Sequence, residues 1–98
     1  MSLAVVGHVE WCEFAPVERL PEAGEIVSSP GSFELAAGGG AVAAVQIARL
    51  TGGCLFFTAL GDHELGRRAA REREGLGVEL AVAWRDQPTR KAFVHLEA

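Results

Sequence analysis

The sequence predicts an α/β domain built around a parallel β-sheet, in a chain of 98 residues that is long enough for one domain. Two apolar runs, Leu3–Val6 and Cys54–Leu60, have the continuous hydrophobicity that is typical of strands buried on both faces of a sheet. Helical patterns cover residues 41–50 and the segment that begins at 61–62, so strands and helices alternate along the chain. This alternation favours crossover connections and therefore parallel strands.

A β-hairpin is predicted to protrude between the first strand and the first helix. Val9–Phe14 alternates loosely between apolar and polar residues, and Glu25–Ser28 has the composition of a short strand. Pro30–Ser32 is a turn signal, and Ser32–Leu35 alternates as a strand with one solvated face should.

The two helices differ in pattern. Ala41–Leu50 is apolar around nearly its whole circumference, which is typical of a buried helix, and Gly52 suits a left-handed C-cap. The second helix is predicted to have Asp62 as its N-cap and to end at Gly75 or Gly77. Arg73 interrupts its apolar side, and the pattern alone does not explain this residue.

Two further strands are predicted at Val78–Trp84 and Lys91–Leu96, separated by a turn at Asp86–Pro88. The chain ends two residues after the last strand. Two helices are too few to cover both faces of a parallel sheet and also support a protruding hairpin. We therefore expect the apolar strands to need neighbours that these 98 residues do not contain.

Charge and cysteine content exclude several classes of function. The net charge of −4 argues against a nucleic-acid partner, since the basic residues of the second helix are interleaved with acidic ones as on a solvated helix face. The N-terminal apolar run is too short for a signal peptide or a membrane span. Cys12 and Cys54 lack metal-ligand spacing, which argues against zinc and for free thiols in a reducing cytoplasm.

Three consecutive glycines, Gly38–Gly40, open the first helix. Without side chains they would let a ligand hydroxyl or an anion approach the backbone N–H groups. The spacing fits neither a P-loop nor a dinucleotide-binding fingerprint. Tight packing of the helix on the sheet explains the glycines equally well, so both interpretations stay open.

Glu10 follows the carboxyl end of the first strand, where open α/β sheets bind their ligands. Its carboxylate could accept hydrogen bonds from substrate hydroxyls. The alternative is an exposed loop glutamate without a function, which is the commoner case.

A series of short motifs occurs in a specific order along almost the whole chain. They are Val5–Gly7, Pro21–Glu25, Ala37–Gly39 followed by a helix of small residues, Leu60–Gly66, Gly75–Val78 and Pro88–Arg90. Together they resemble the N-terminal part of the ribokinase-like, or PfkB-type, carbohydrate kinases, whose Pro-x-x-Gly-Glu, Gly-Gly and Gly-Asp-x-x-x-Gly segments have this order. Each motif alone has little specificity, whereas the order and the spacing together are specific.

The resemblance implies part of a three-layer α/β/α fold with a small β-sheet lid, here expected at about residues 13–36 and 89–97. It implies a kinase that transfers the γ-phosphate of ATP, usually with Mg²⁺, to a hydroxyl of a sugar or nucleoside. Carried over by position, the substrate-binding residues are Glu10, Cys12, Gly38 and Gly39, with Phe93 on the returning lid strand. Lid strands in this family often pair between subunits, which implies a homodimer.

Two departures from the family pattern concern hydrogen bonding to the substrate. Many members carry an aspartate where Cys12 falls and an asparagine where Ala43 falls. A buried hydroxyl that loses its partner costs about 1–3 kcal/mol. Either the substrate therefore differs from a plain ribose-like sugar, or Glu10 takes over part of the role of the aspartate.

The family's catalytic base lies in a Gly-Ala-Gly-Asp segment, which is expected downstream of Ala98. Residues 1–98 alone are therefore predicted to be inactive as a kinase, because phosphoryl transfer depends on that positioning machinery. Two alternatives remain: a non-catalytic sugar-binding or dimerisation module derived from the same fold, and a small α/β domain with unrelated ligand chemistry.

Overall fold

A computed structural model describes residues 3–98, which form two three-stranded sheets and two helices. In chain order the elements are β1 (Ala4–Val6), β2 (Glu10–Val17), β3 (Phe33–Ala37), α1 (Gly39–Thr51), β4 (Cys54–Gly61), α2 (Glu64–Glu74), β5 (Val78–Arg85) and β6 (Lys91–Glu97). The predicted α/β class and the alternation of strands and helices are confirmed.

The large sheet has the order β1-β4-β5, and all its strands are parallel. Both helices pack on one face of it, because the buried alanines of α1 and α2 share a single core cluster with Phe56 and Leu60 of β4. Phe56 is completely buried. The small side chains of Ala41, Ala44 and Ala69 let the helices approach the sheet closely.

The other face of the large sheet is open in the described part of the chain. Val6 is 84% exposed and Phe57, its partner on β4, is 42% exposed. The prediction that Leu3–Val6 is buried on both faces is therefore wrong within residues 3–98, and for Cys54–Leu60 it fails at Phe57. The reason is topological, since α1 and α2 cover the same face and no described element covers the opposite one.

The small sheet comprises β3, β2 and β6 in that order. β2 pairs antiparallel with β3 and parallel with β6. The strand predicted at Glu25–Ser28 does not form: Glu22 accepts a hydrogen bond from the N–H of Glu25 in a turn, and the Arg19 guanidinium holds the Glu25 carboxylate in a bidentate pair. Strands begin at Glu10 and Lys91, whereas about 13 and 89 were expected for the lid segments.

The helix ends match the predictions in part. Gly52 is the left-handed C-cap of α1, with φ 90°, and Gly75 is the C-cap of α2. Asp62 is not the N-cap of α2. His63 is the N-cap, because its carbonyl accepts the first helical hydrogen bond, from the Arg67 N–H. The Asp62 carboxylate pairs with the side chain of Arg67 and does not cap the helix.

Candidate functional site

The glycine segment before α1 combines close packing with an open backbone. A Cβ on Gly40 would lie 2.8 Å from the Gly7 backbone, so the packing interpretation holds for this glycine. Gly38 has φ +100°, and a Cβ there would lie 3.0 Å from the Glu10 nitrogen. Gly39 is exposed and would meet only the His8 ring, at 3.7 Å. Packing therefore does not require a glycine at position 39, and its backbone is accessible to a ligand.

Donors are available at this helix start. Gly38 provides no side-chain cap, and the first turn of α1 contains no acidic residue. Ala41 N–H is directed to the His8 carbonyl, at 3.3 Å. Among residues 3–98 no acceptor bonds the N–H groups of Gly39 and Gly40, which lie at the positive end of the helix dipole.

Glu10 begins β2 beside these glycines. Its side chain is about one-quarter exposed, and one carboxylate oxygen lies 3.4 Å from His8 Nε2 and 3.9 Å from Arg90 Nη1. Both neighbours are largely exposed, so they lie on the solvent side of the carboxylate. Sequence reasoning missed both, although His8 precedes the candidate strand and Arg90 belongs to a motif already identified.

Cys12 lies on the same face of β2 as Glu10, two residues further on, and is buried. Burial raises the pKa of the Cys12 thiol, and the negative charge of Glu10 raises it further. The Sγ atom lies 3.9 Å from the Glu10 carbonyl oxygen. At neutral pH the site therefore presents an uncharged thiol, a weak hydrogen-bond partner.

Phe93 does not join the other candidates. The register pairs Phe93 with Glu13 and Ala92 with Cys12, so Phe93 projects from the opposite face of the small sheet. It is 56% exposed and makes an edge-to-face contact with His95. Ala92, and not Phe93, lies beside Cys12 on the face that carries Glu10. A shift of one residue along β6 exchanges the two faces, and the sequence of one strand does not define its register.

A metal site is not formed by the residues that the structure describes, where no three His, Cys, Asp or Glu side chains converge. None of the helices in this part of the chain has the length and apolar character needed to cross a membrane.

No protein-family model and no curated protein matches this sequence. Solved structures do match its fold. Ribokinase from Thermotoga maritima aligns with a TM-score of 0.84 at 24% identity, over 99% of this chain and 33% of that one. Ribokinase from Cryptococcus neoformans, in complex with ADP, aligns with a TM-score of 0.81 at 30% identity, over 99% of this chain and 31% of that one.

Ribokinase from Arabidopsis thaliana, complexed with ribose and ATP, aligns with a TM-score of 0.76 at 33% identity, over 98% of this chain and 32% of that one. The present chain spans about a third of the length of these enzymes. The agreement extends over both sheets and both helices, since almost every residue of the chain is aligned. The chain therefore has the fold of the ribokinase-like carbohydrate kinases.

Proposed function

We propose that this chain is the sugar-binding and lid portion of an ATP-dependent carbohydrate or nucleoside kinase. The observation that carries the proposal is the position of Glu10, which lies opposite Ala37 and has its backbone nitrogen beside Gly38, next to the accessible backbone of Gly39. A carboxylate acceptor beside N–H donors complements the hydroxyl groups of a sugar. The ribokinase-like fold supports this assignment, and ribose, bound by the Arabidopsis thaliana relative, is the first substrate to test.

In the proposed complex, Glu10 accepts hydrogen bonds from substrate hydroxyls while the N–H groups of Gly39 and Gly40 donate to substrate oxygens. His8 and Arg90 lie beside this carboxylate at the solvent edge of the proposed site. The buried thiol of Cys12 contributes shape and only a weak polar contact. These residues bind and orient the substrate, which is their whole part in the reaction.

ATP supplies the phosphoryl group: a substrate hydroxyl oxygen bonds to the γ-phosphorus as the bond to the ADP oxygen breaks, and the hydroxyl proton passes to a base. We place that base outside residues 3–98, since the family's catalytic segment is expected downstream of Ala98. The 98-residue chain alone is accordingly proposed to be inactive. ATP turnover with a sugar above the buffer background would contradict this point.

The small sheet is proposed to act as the lid. Short connections join it to β1 at residues 7–9, to α1 at residue 38 and to β5 at residues 86–90. The side chains of Glu10, Cys12 and Ala92 share one face of it. Closure over a bound sugar would exclude water from the hydroxyl that reacts.

Ribose titration by calorimetry tests the proposed site. We expect Glu10→Gln to weaken ribose binding at least tenfold, because a charged acceptor contributes about 1.5–3 kcal/mol to a hydrogen bond. Glu13→Gln is the matched control, since Glu13 is an exposed glutamate on the opposite face of the same strand. Equal affinities in the wild-type chain and both variants would remove Glu10 from the site.

We propose that the partner is a second copy of this chain, which binds through the small sheet. The substrate-side face continues outward as an apolar surface, where Phe14 and Phe33 stack with their ring centres 5.1 Å apart and Phe33 remains 44% exposed. Exposed apolar surface of this kind favours association. Sedimentation analysis should show a dimer that Phe33→Ser weakens, and a monomeric wild-type chain would contradict the proposal. The two free thiols agree with a cytoplasmic location, which we also propose.

A further inference from the structure

The last turn of α2 is joined to the end of β3 by two side chains, those of Glu72 and Arg73, which both hydrogen-bond the backbone of Ala36. We call this pair of bonds the grip on Ala36. Glu72 Oε1 accepts a hydrogen bond from the Ala36 N–H at 3.0 Å. Arg73 Nη2 donates a hydrogen bond to the Ala36 carbonyl oxygen at 2.8 Å. Adjacent residues on one helix thus satisfy both backbone polar groups of Ala36, which is only 1% exposed.

Strand pairing leaves these groups of Ala36 without a partner in the sheet. β3 is an edge strand, and Ala36 lies directly opposite Trp11 of β2. Trp11 directs its own N–H to Arg90 on the other side, so Trp11 and Ala36 form a non-hydrogen-bonded pair. The N–H and C=O of Ala36 therefore point out of the sheet towards α2, where they would be buried and unpaired without Glu72 and Arg73.

Arg73 occupies an unusual position for a guanidinium group. Its side chain is only 7% exposed, and burial lowers the pKa of Arg73 although Glu72 lies 4.0 Å away. Its Nε has no hydrogen-bond partner among the described residues. An apolar side chain would continue the buried stripe of Ala69 and Ala70 without this desolvation. The specific contribution of the arginine is its bond to Ala36.

Ala36 is two residues from Gly38, where the chain turns into α1 with positive φ. On the far side of this turn, Gly40 is packed against Gly7. The segment between them is therefore fixed at two points, by the grip on Ala36 and by the contact between the two glycines. Arg68 adds a third contact to the same region, with its guanidinium 4.5 Å from the centre of the Trp11 ring.

We propose that Arg73, assisted by Glu72, is a positioning residue that holds the backbone of Gly38 and Gly39 in the geometry required for binding the sugar. This inference rests on the proposed function for the identity of the ligand, whereas the grip on the backbone itself does not. A displacement of Ala36 would move the donors of the glycine segment away from Glu10, and small displacements of such groups reduce binding strongly.

Amide hydrogen exchange of the 98-residue chain, followed residue by residue by NMR without ligand, tests the grip. In Arg73→Met, exchange at Ala36 and at its strand neighbour Ala37 should be at least tenfold faster than in the wild-type chain, after correction for any change in global stability. Arg73→Lys, which keeps one charged donor, should restore most of the protection. Arg71→Met is the control, because Arg71 is exposed on the same helix and contacts only Glu64, at 3.8 Å.

Ribose affinity measured on the folded fraction of each variant tests the consequence for the site. Arg73→Met should weaken ribose binding about 5- to 20-fold, with recovery in Arg73→Lys and no change in Arg71→Met. If Arg73→Met does not fold, Glu72→Ala provides the same measurements with a partly exposed residue and should accelerate exchange at Ala36.

Unchanged exchange at Ala36 and Ala37 in folded Arg73→Met or Glu72→Ala would overturn the inference. So would equal loss of protection across the whole chain, since that is the result expected of a merely stabilising residue. A wild-type chain that does not bind ribose would count against ribose as the substrate in the proposed function, and the exchange measurement would still decide the role of Arg73.

Discussion

The imidazole Nε2 of His63 accepts a hydrogen bond from the backbone N–H of Thr89 at 2.8 Å. The side chain of Thr89 makes a second bond, in which its hydroxyl accepts from the Gly61 N–H at 3.1 Å. Thr89 is buried, and it lies in the connection that carries the chain from β5 in the large sheet to β6 in the small one. The turn between β4 and α2 is therefore the support of this connection.

Replacing His63 should weaken that support. We expect His63→Leu to lower the free energy of unfolding by about 1–3 kcal/mol, because the Thr89 N–H loses its acceptor in a poorly solvated position. Urea denaturation measures the change. His95→Leu is the control, since His95 is exposed on the small sheet, where its ring lies against that of Phe93. Equal stability losses in the two variants would contradict a specific role for His63.

The glycines of the same turn predict a second effect. A Cβ on Gly66 would overlap the carbonyl oxygen of Gly61 and lie 3.0 Å from the Thr89 hydroxyl. Helix propensity favours alanine over glycine by about 1 kcal/mol, so any destabilisation by Gly66→Ala must come from this overlap. We expect a loss of more than about 3 kcal/mol, measured by urea denaturation.

Gly53→Ala is the matched control for this substitution. A Cβ on Gly53 would meet no atom within 4 Å, and its φ lies outside the left-handed region. We expect Gly53→Ala to leave the midpoint of unfolding almost unchanged. If Gly66→Ala were equally harmless, the Gly-Asp-x-x-x-Gly segment would not be a packing junction.

Local sequence patterns predicted the strands and helices well. They did not predict the contacts between residues that are distant in the sequence. The continuous apolar run at Cys54–Leu60 and the glycine at position 52 reflect local requirements of a strand and of a helix cap, and both elements are confirmed. Arg73 interrupted an apolar stripe for a reason that lies 37 residues away in the sequence, at Ala36. No periodicity within α2 could have indicated that partner.

The candidate site shows the same limit. Glu10 and Gly38 come together because β2 and β3 are antiparallel, so the start of β2 lies beside the end of β3. The placement of Phe93 required the register between β6 and β2, which depends on the connection at residues 86–90 and not on the strand's own alternation. The exposure of β1 likewise depends on which face of the large sheet α1 and α2 cover, and the sequence of β1 does not contain that information.

The Cys12 thiol predicts a change of stability at alkaline pH. Burial, and secondarily the charge of Glu10, raise the pKa of Cys12 in the folded chain above the ordinary value of 9.0. As the pH rises past about 9, the unfolded chain releases this proton more readily than the folded one, so stability falls with pH. Below that pH the contribution is present in full.

Urea denaturation under reducing conditions between pH 7 and pH 10 measures this dependence. We expect Cys12→Ala to flatten the decline above pH 9 relative to the wild-type chain. A Cys12→Ala profile parallel to the wild-type profile would show that another group causes the decline.

Cys12 also stands where the family resemblance implies an aspartate that binds sugar hydroxyls. If the site binds sugars as proposed, Cys12→Asp should strengthen ribose binding about 5- to 100-fold, since a buried hydroxyl without a partner costs about 1–3 kcal/mol. The new carboxylate would lie on the same strand face as Glu10, so we expect the variant to be less stable at neutral pH than the wild-type chain.

Calorimetric titration on the folded protein separates the two effects. Cys12→Asn, which has nearly the same size without the charge, is the control. Weaker ribose binding in Cys12→Asp than in the wild-type chain would mean that Glu10 has replaced the aspartate, and that the substrate is chosen by a different set of hydroxyls.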